Sequence, residues 1–339
     1  MLNKAYIDLV ALKNNALAVK SKLEKGVKFC AVVKADAYGH GGCECAKTLY
    51  PIVDCFAVAL VEEAVALRLS GVDKDILVLI PPFSPDIDVS VHYGLTLTVS
   101  NAMQIAQISR CAKRQNKTVK VHIKVNTGMN RQGADGADEI IKIVRAVMDS
   151  NNVVIDGIYS HFARPENEKA RNDALYKFLL ANKALKGYNR KVTSHISASG
   201  GFLAGVQADM VRIGILLYGY KPYPSELIDV KPVMRVVAPI VCTRSIRRGD
   251  GALYGDFRAD SDEQYALVRY GYADGLFRHT VDGQLNNRCL DLTAVKGDFG
   301  GINYVEILGS ADEIAFCNDT ISYEILCRAA CRAEKIYIR

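Results

Sequence analysis

Apolar residues along this chain fall into two alternating rhythms. Short, nearly continuous runs rich in β-branched residues recur from residue 28 onward: KFCAVVKA, DCFAVAL, DILVLI, LTLTV, KVHIKVN, VVIDGIYSH, VTSHISAS and MVRIGILLYG. Most are followed by a stretch with helical spacing, the clearest being VEEAVALRLSG, NAMQIAQISRCAKRQ, ADEIIKIVRAVMDS and NDALYKFLLANKAL. Runs of the first kind predict strands buried on both faces, and the alternation predicts parallel strands joined by helices. Asn101, and either Asn172 or Asp173, stand where helix caps are expected. Eight such units within about 200 residues predict an α/β fold, a (β/α)8 TIM-type barrel. An open doubly wound sheet is the competing architecture, but the GxGxxG phosphate fingerprint is absent after the first run.

The rhythm changes after the eighth run. A proline-marked link, YKPYPSELIDVKP, leads to the strand-like segments MRVVAPIVCTRSIR, YALVRYGYAD, YVEILG and EKIYIR, with the turn signals RRGDG and KGDFGG between them. A second, mostly β domain is therefore expected from residue 230 or so to the end.

Composition adds exclusions. A chain of 339 residues suits one large domain and a smaller one. Hydrophobic residues make up 50% and charged residues 24%, the balance of a soluble globular protein. The formal charge of +6 is spread out, and pairs such as Arg247-Arg248 are isolated, so no nucleic-acid partner is expected. The N-terminal segment MLNKAYIDLVALKNN is interrupted by Lys4, Asp8 and Lys13, unlike a signal peptide, and no apolar run is long enough to span a bilayer. A cytoplasmic protein without a membrane partner is expected. The ten cysteines are scattered through apolar segments and read as free thiols; Cys43 and Cys45 have no second cluster to complete a metal site, so no metal is expected.

In such a barrel the chemistry gathers at the C-terminal ends of the strands. Lys34, Lys124, Arg131, His161, Ser199 and Arg212 are the polar residues at or near those ends. A solitary lysine there reads as a side chain snorkelling to the rim. A buried one with a lowered pKa is instead what imine chemistry with a carbonyl cofactor needs.

The surrounding pattern favours the second reading. AVVKADAYGHG resembles the cofactor-lysine signature of the alanine racemases, a family of fold-type III pyridoxal-phosphate enzymes. The likeness continues in order through KVNTGMNRQG, GIYSHFA, SHISASGG, VRIGILLYG, LYG, YGYADGLFR, RCLD and ISYEILC. The resemblance implies a cofactor-binding barrel over residues 9–228 and a β domain over 229–339 that includes strand 1–8. It implies pyridoxal 5'-phosphate carried by Lys34, with Tyr38, Ser199, Gly214, Ile215 and Tyr323 as phosphate ligands. Arg212 would face the pyridine nitrogen, supported by His195, and His40 would support the cofactor loop. An arginine does not give up its proton, so that nitrogen would stay unprotonated and transamination would be suppressed.

Racemisation needs a base on each face of Cα, because one base returns its proton to the face it came from. The resemblance makes Lys34 one base and Tyr254, reaching in from the other subunit of a homodimer, the second, with its phenolate supported through His161 to Arg212. Arg131 would fork the substrate carboxylate, Leu290 would contribute its backbone N–H, Tyr272 and Tyr323 would narrow the entrance, and Arg278 would line the path outside. Lys124 occupies a position sometimes carbamylated in the family; a buried structural lysine is the alternative.

Two departures concern the entrance. Leu290 stands where the family has methionine, and Asn287 where it has arginine, with Arg288 as the residue able to compensate. The activity implied is interconversion of L- and D-alanine, supplying D-alanine for peptidoglycan. A serine or broad-specificity racemase is the alternative within the same chemistry. A non-catalytic pyridoxal-phosphate-binding regulator is disfavoured by Tyr254 and the β domain, and a barrel decarboxylase by Arg212.

Overall fold

The computed structural model of the protein describes residues 2–185, 188, 191–251, 253–254, 258–275, 277–278 and 288–339. Strand β1 (Lys4–Asp8) and helix α1 (Leu9–Lys20) come first. They are followed by β2 (Lys28–Val32), a single turn α2 (Lys34–Tyr38), α3 (Gly42–Leu49), β3 (Cys55–Val58), α4 (Val61–Leu69), β4 (Ile76–Val78), α5 (Ser84–His92) and β5 (Thr96–Val99). Next are α6 (Ala102–Arg114), β6 (Val119–Lys124), α7 (Gly136–Met148), β7 (Val153–Tyr159), α8 (Glu168–Lys183), β8 (Thr193–His195), α9 (Ser199–Leu203) and β9 (Met210–Ile213).

Strands β2 to β9 are the eight runs read from the sequence. They form one sheet in the order β8-β7-β6-β5-β4-β3-β2-β9. Ala198 bridges Arg212 in parallel, and the Arg212 N–H donates to Ser197 O at 3.0 Å, so the ring closes. Every residue of β5 and β9 is buried, as strands covered inside and outside must be. Asn101 caps α6 as expected: its side chain accepts from the Gln104 N–H, and the Gln104 side chain accepts from the Asn101 N–H. The cap of α8 is neither Asn172 nor Asp173. Asn167 takes that place, accepting from the Ala170 N–H at 2.9 Å. The first turn, Glu168 to Arg171, lacks large apolar residues, so the apolar rhythm starts one turn too late to mark it.

The second sheet comprises β1 with β10 (Met234–Ile246), β11 (Glu263–Val268), β12 (Thr293–Lys296), β13 (Tyr304–Leu308) and β14 (Glu334–Ile338). Its order is β12-β11-β10-β1-β14, and β13 also pairs with β10. At thirteen residues β10 is long enough to exchange partners along its length. The first strand pairs antiparallel with β10 and parallel with β14, so both ends of the chain enter this sheet. Two helices, α10 (Ala311–Cys317) and α11 (Ser322–Ala329), lie between β13 and β14. Helix α11 packs against α2 so closely that a Cβ on Gly39, at φ 83°, would stand 2.5 Å from Leu326 O. That contact carries Tyr323 of the second domain to the barrel mouth. Among the described residues no helix is long and apolar enough to cross a membrane.

Candidate active site

The site begins where β2 ends. Ala35, Asp36, Ala37 and Tyr38 all have φ between 51° and 55°. A left-handed turn of non-glycine residues costs about 1–2 kcal/mol per residue, so its surroundings must hold it. Glu63 accepts from the Ala35 N–H at 2.5 Å, and Asp36 accepts from the Gly42 N–H at 2.6 Å. His40 Nδ1 lies 2.9 Å from Ala37 O and 3.0 Å from Tyr38 O, and carbonyls only accept, so Nδ1 carries the proton. The His40 ring stacks on Tyr218 with centroids 4.6 Å apart. The turn thereby directs Lys34 and Tyr38 into one cavity.

That cavity, of about 750 Å³, opens at the C-terminal ends of the barrel strands. Lys34, Tyr38, Lys124, Arg131, His161, Ser199, Arg212, Gly214, Ile215 and Tyr323 all line it. Two arginines and two lysines face it and Glu166 is the one carboxylate in its wall among the described residues, so the cavity suits an anion. Burial, then the charge of Arg131, brings Lys34 below the ordinary lysine value. Burial, then Arg212 and Arg131, brings Lys124 well below it. The Lys124 Nζ sits over the Tyr159 ring, 4.4 Å from its centroid. Burial and the neighbouring cations keep His161 neutral at neutral pH.

One wall is built for close approach. Ser199 opens α9, Gly214 precedes a 3-10 turn over Ile215–Tyr218, and the Gly214 N–H donates to Ser199 Oγ at 3.2 Å. A Cβ on Gly214 would stand 2.6 Å from the Tyr38 hydroxyl. Tyr323 lies beside Tyr38, centroids 5.8 Å apart, and burial pushes its hydroxyl up to about 12. Neutral hydroxyls and backbone N–H groups next to cations form a cradle suited to phosphate oxygens.

Arg212 is fully enclosed by protein on its guanidinium ends. Nη1 meets His195 Nδ1 at 2.7 Å and His195 O at 3.2 Å; Nη2 meets Ser160 O at 2.7 Å, Ile196 O at 3.2 Å and His161 Nδ1 at 3.4 Å. His195 stands behind Arg212, stacked on Tyr159 with planes 2° apart.

Three predicted site residues are elsewhere. Tyr254 is 66% exposed, Tyr272 38% and Leu290 52%, and none of them lines this cavity. Tyr272 and Leu290 are near neighbours, since the Tyr272 N–H donates to Cys289 O and the Ala273 N–H to Leu290 O. Arg278 is exposed, and Asn287 lies outside the described residues. Residues 7–222 match the alanine racemase N-terminal domain, and residues 233–337 match the alanine racemase C-terminal domain. The chain belongs to the alanine racemase family. It is 33% identical over 373 residues to an alanine racemase of Clostridium novyi, covering 99% of this chain and 95% of that one. Its fold is similar to an alanine racemase structure from Clostridium difficile, with a TM-score of 0.92 and 28% identity over 100% of this chain and 96% of the other. An alanine racemase structure from Bartonella henselae with covalently bound pyridoxal phosphate is similar at a TM-score of 0.88 and 25% identity, covering both chains completely.

Sequence reasoning missed two supports of this family site. Tyr159 was visible as the polar end of a buried run, yet its place under Lys124 and beside His195 depends on three strands. Glu63 carried no signal beyond an acidic first turn of α4, although it accepts from Ala35, Ala59 and Leu60 N–H groups.

Proposed function

We propose that this chain is a pyridoxal-phosphate-dependent isomerase that interconverts L- and D-alanine, supplying D-alanine for peptidoglycan from the cytoplasm. The observation that carries the reading is Lys34, lowered in pKa, facing Arg212 across a cationic cavity with the Tyr38–Ser199–Gly214 cradle in its wall. Residues 9–228 hold the cofactor, and residues 229–339 with 1–8 complete the site.

When bound, pyridoxal phosphate supplies the electron-withdrawing ring that acidifies the Cα–H bond of an attached amino acid. Lys34 would be its covalent anchor and, as an amine whose pKa is lowered by burial and by Arg131, would serve as the base for one face of Cα. Tyr38, Ser199, Gly214, Ile215 and Tyr323 would hold the phosphate. The protein contacts of Arg212 run through Nη1 and Nη2, so its Nε–H would be the donor left for the ring nitrogen, and Arg212 would keep that proton.

Arg131 forks the substrate carboxylate, and the Tyr323 ring in the wall favours a methyl side chain. Since Arg212 donates to His161 Nδ1, neutral His161 carries its proton on Nε2, where it can stabilise a phenolate. Tyr254, Tyr272 and Leu290 lie outside their own cavity, which supports a homodimer in which Tyr254 of the partner subunit is the second base. Lys124 sits where a carbamate would meet the charges of Arg212 and Arg131, and a lowered pKa is the property carbamylation requires.

The test is borohydride reduction followed by peptide mass analysis, with chiral analysis of products from single L-amino acids. A pyridoxyl adduct on Lys34 and D-alanine as the main product are expected, with both lost in Lys34→Ala. An adduct on another lysine, or faster turnover of serine than of alanine, would overturn the corresponding part.

A further inference from the structure

Arg212 is the top of a polar row that descends through the barrel. His195 receives Arg212 Nη1 on Nδ1 at 2.7 Å, and its Nε2 lies 2.8 Å from His122 Nδ1. His122 Nε2 in turn stands 3.5 Å from Asp156 Oδ2. The two ends fix the direction of the row, because a guanidinium only donates and a carboxylate only accepts. Neutral His195 must then be protonated on Nε2, and neutral His122 must accept on Nδ1 and carry its own proton on Nε2, facing Asp156. Any other neutral tautomer pairs two N–H groups or two lone pairs.

The backbone is shaped around this row. Strands β6 and β7 run in register to Val121 opposite Ile155 and resume at His122 opposite Gly157, leaving Asp156 as the extra residue of a bulge. The bulge turns the carboxylate of β7 toward the ring of β6. A Cβ on Gly157 would stand 2.6 Å from the His122 ring, so the ring occupies space that a side chain would fill. Tyr159 stacks on His195 and fixes its plane. Burial holds both histidines below the ordinary histidine value, while the His122 contact and the charges of Lys120 and Lys28 keep the Asp156 carboxyl low and ionised. Asp75 also faces His122, and Lys124 and Lys28 face His195.

We propose that His122 and Asp156 are positioning residues: the half-exposed carboxylate anchors a two-histidine relay that fixes one tautomer of His195 and so holds the Arg212 guanidinium in place at the cavity. The functional part rests on Arg212 serving the cofactor ring, as proposed above. The relay itself is a property of the protein.

The experiment is ¹⁵N NMR of histidine-labelled holoenzyme, with steady-state kinetics, for the wild type, Asp156→Leu and Asp156→Asn. His195 and His122 should both show a protonated Nε2 and a bare Nδ1 in the wild type. Asp156→Leu should move the His122 and His195 nitrogen shifts and lower kcat by about tenfold with KM little changed, the low end of the loss when the outer hydrogen-bond partner of a metal-bound histidine is removed. Asp156→Asn keeps an acceptor and should retain both tautomers. A protonated Nδ1 on wild-type His195, or unmoved shifts in folded Asp156→Leu, would overturn the relay. So would tautomers lost equally in Asn and Leu. Absence of a pyridoxyl adduct on Lys34 in the same wild-type sample would overturn the cofactor reading alone, because the nitrogen shifts decide the relay without it.

Discussion

A Cβ added to Gly214 would meet the Tyr38 hydroxyl at 2.6 Å, so Gly214→Ala must displace the phenol or the loop. If Gly214 belongs to the proposed phosphate cradle, cofactor retention should weaken about tenfold, or about 1.4 kcal/mol, read by equilibrium dialysis of pyridoxal phosphate; unchanged affinity would remove Gly214 from that cradle. His40 ties the same region to pH. Burial pushes it down to about 4 from an ordinary 6.5, against the pull of its two backbone bonds. The unfolded chain therefore binds the proton first as pH falls. The contribution of His40 is complete above pH 6.5 and is lost as pH falls toward 4, at most about 3 kcal/mol. In His40→Gln the urea midpoint should fall less steeply over that window than in the wild type. Lys34, His161 and Arg212 were legible in the sequence because each interrupts an apolar strand near its end. Tyr159 and Glu63 were not, because their roles are contacts made across strands and turns.

At the scale of elements, the helix α6 cap shows what local chemistry fixes alone. Asn101 and Gln104 satisfy each other's backbone N–H groups, three residues apart. Asn101→Ala should lower stability by about 1 kcal/mol with kcat unchanged, as read from the denaturant midpoint and initial rates. A change in kcat would show that α6 transmits strain to the mouth. The left-handed turn α2 is the opposite case. Nothing local in KADAY favours four successive positive φ values, and the turn stands because Glu63, His40 and the Gly42 N–H bond to it from outside. The bulge at Asp156 is likewise invisible as a pattern, since an extra residue changes the pairing with β6, which the sequence of VVIDGIY does not display.

For the whole molecule, one cavity is lined by Lys34, Tyr38, Ser199, Gly214 and Arg212, while Tyr254, Tyr272 and Leu290 lie beyond its wall. If a partner supplies Tyr254, inactive Lys34→Ala and Tyr254→Phe chains should complement after subunit exchange. Half the dimers in an equal mixture would be mixed, each with one intact site of two, so about a quarter of wild-type activity should return. No recovery after exchange confirmed by native mass spectrometry would place both bases in one chain. By itself the sequence determined the eight barrel strands, the β character of the second domain and most of the residues at the cavity, because buried strands need unbroken apolar runs and the chemistry needs polar residues to break them at their ends. Only the tertiary structure decided that the first strand lies between β10 and β14, and that His122 and Asp156 continue the row behind Arg212 and His195. Those facts depend on register and on strands and domains meeting far from one another in sequence, which no local periodicity encodes.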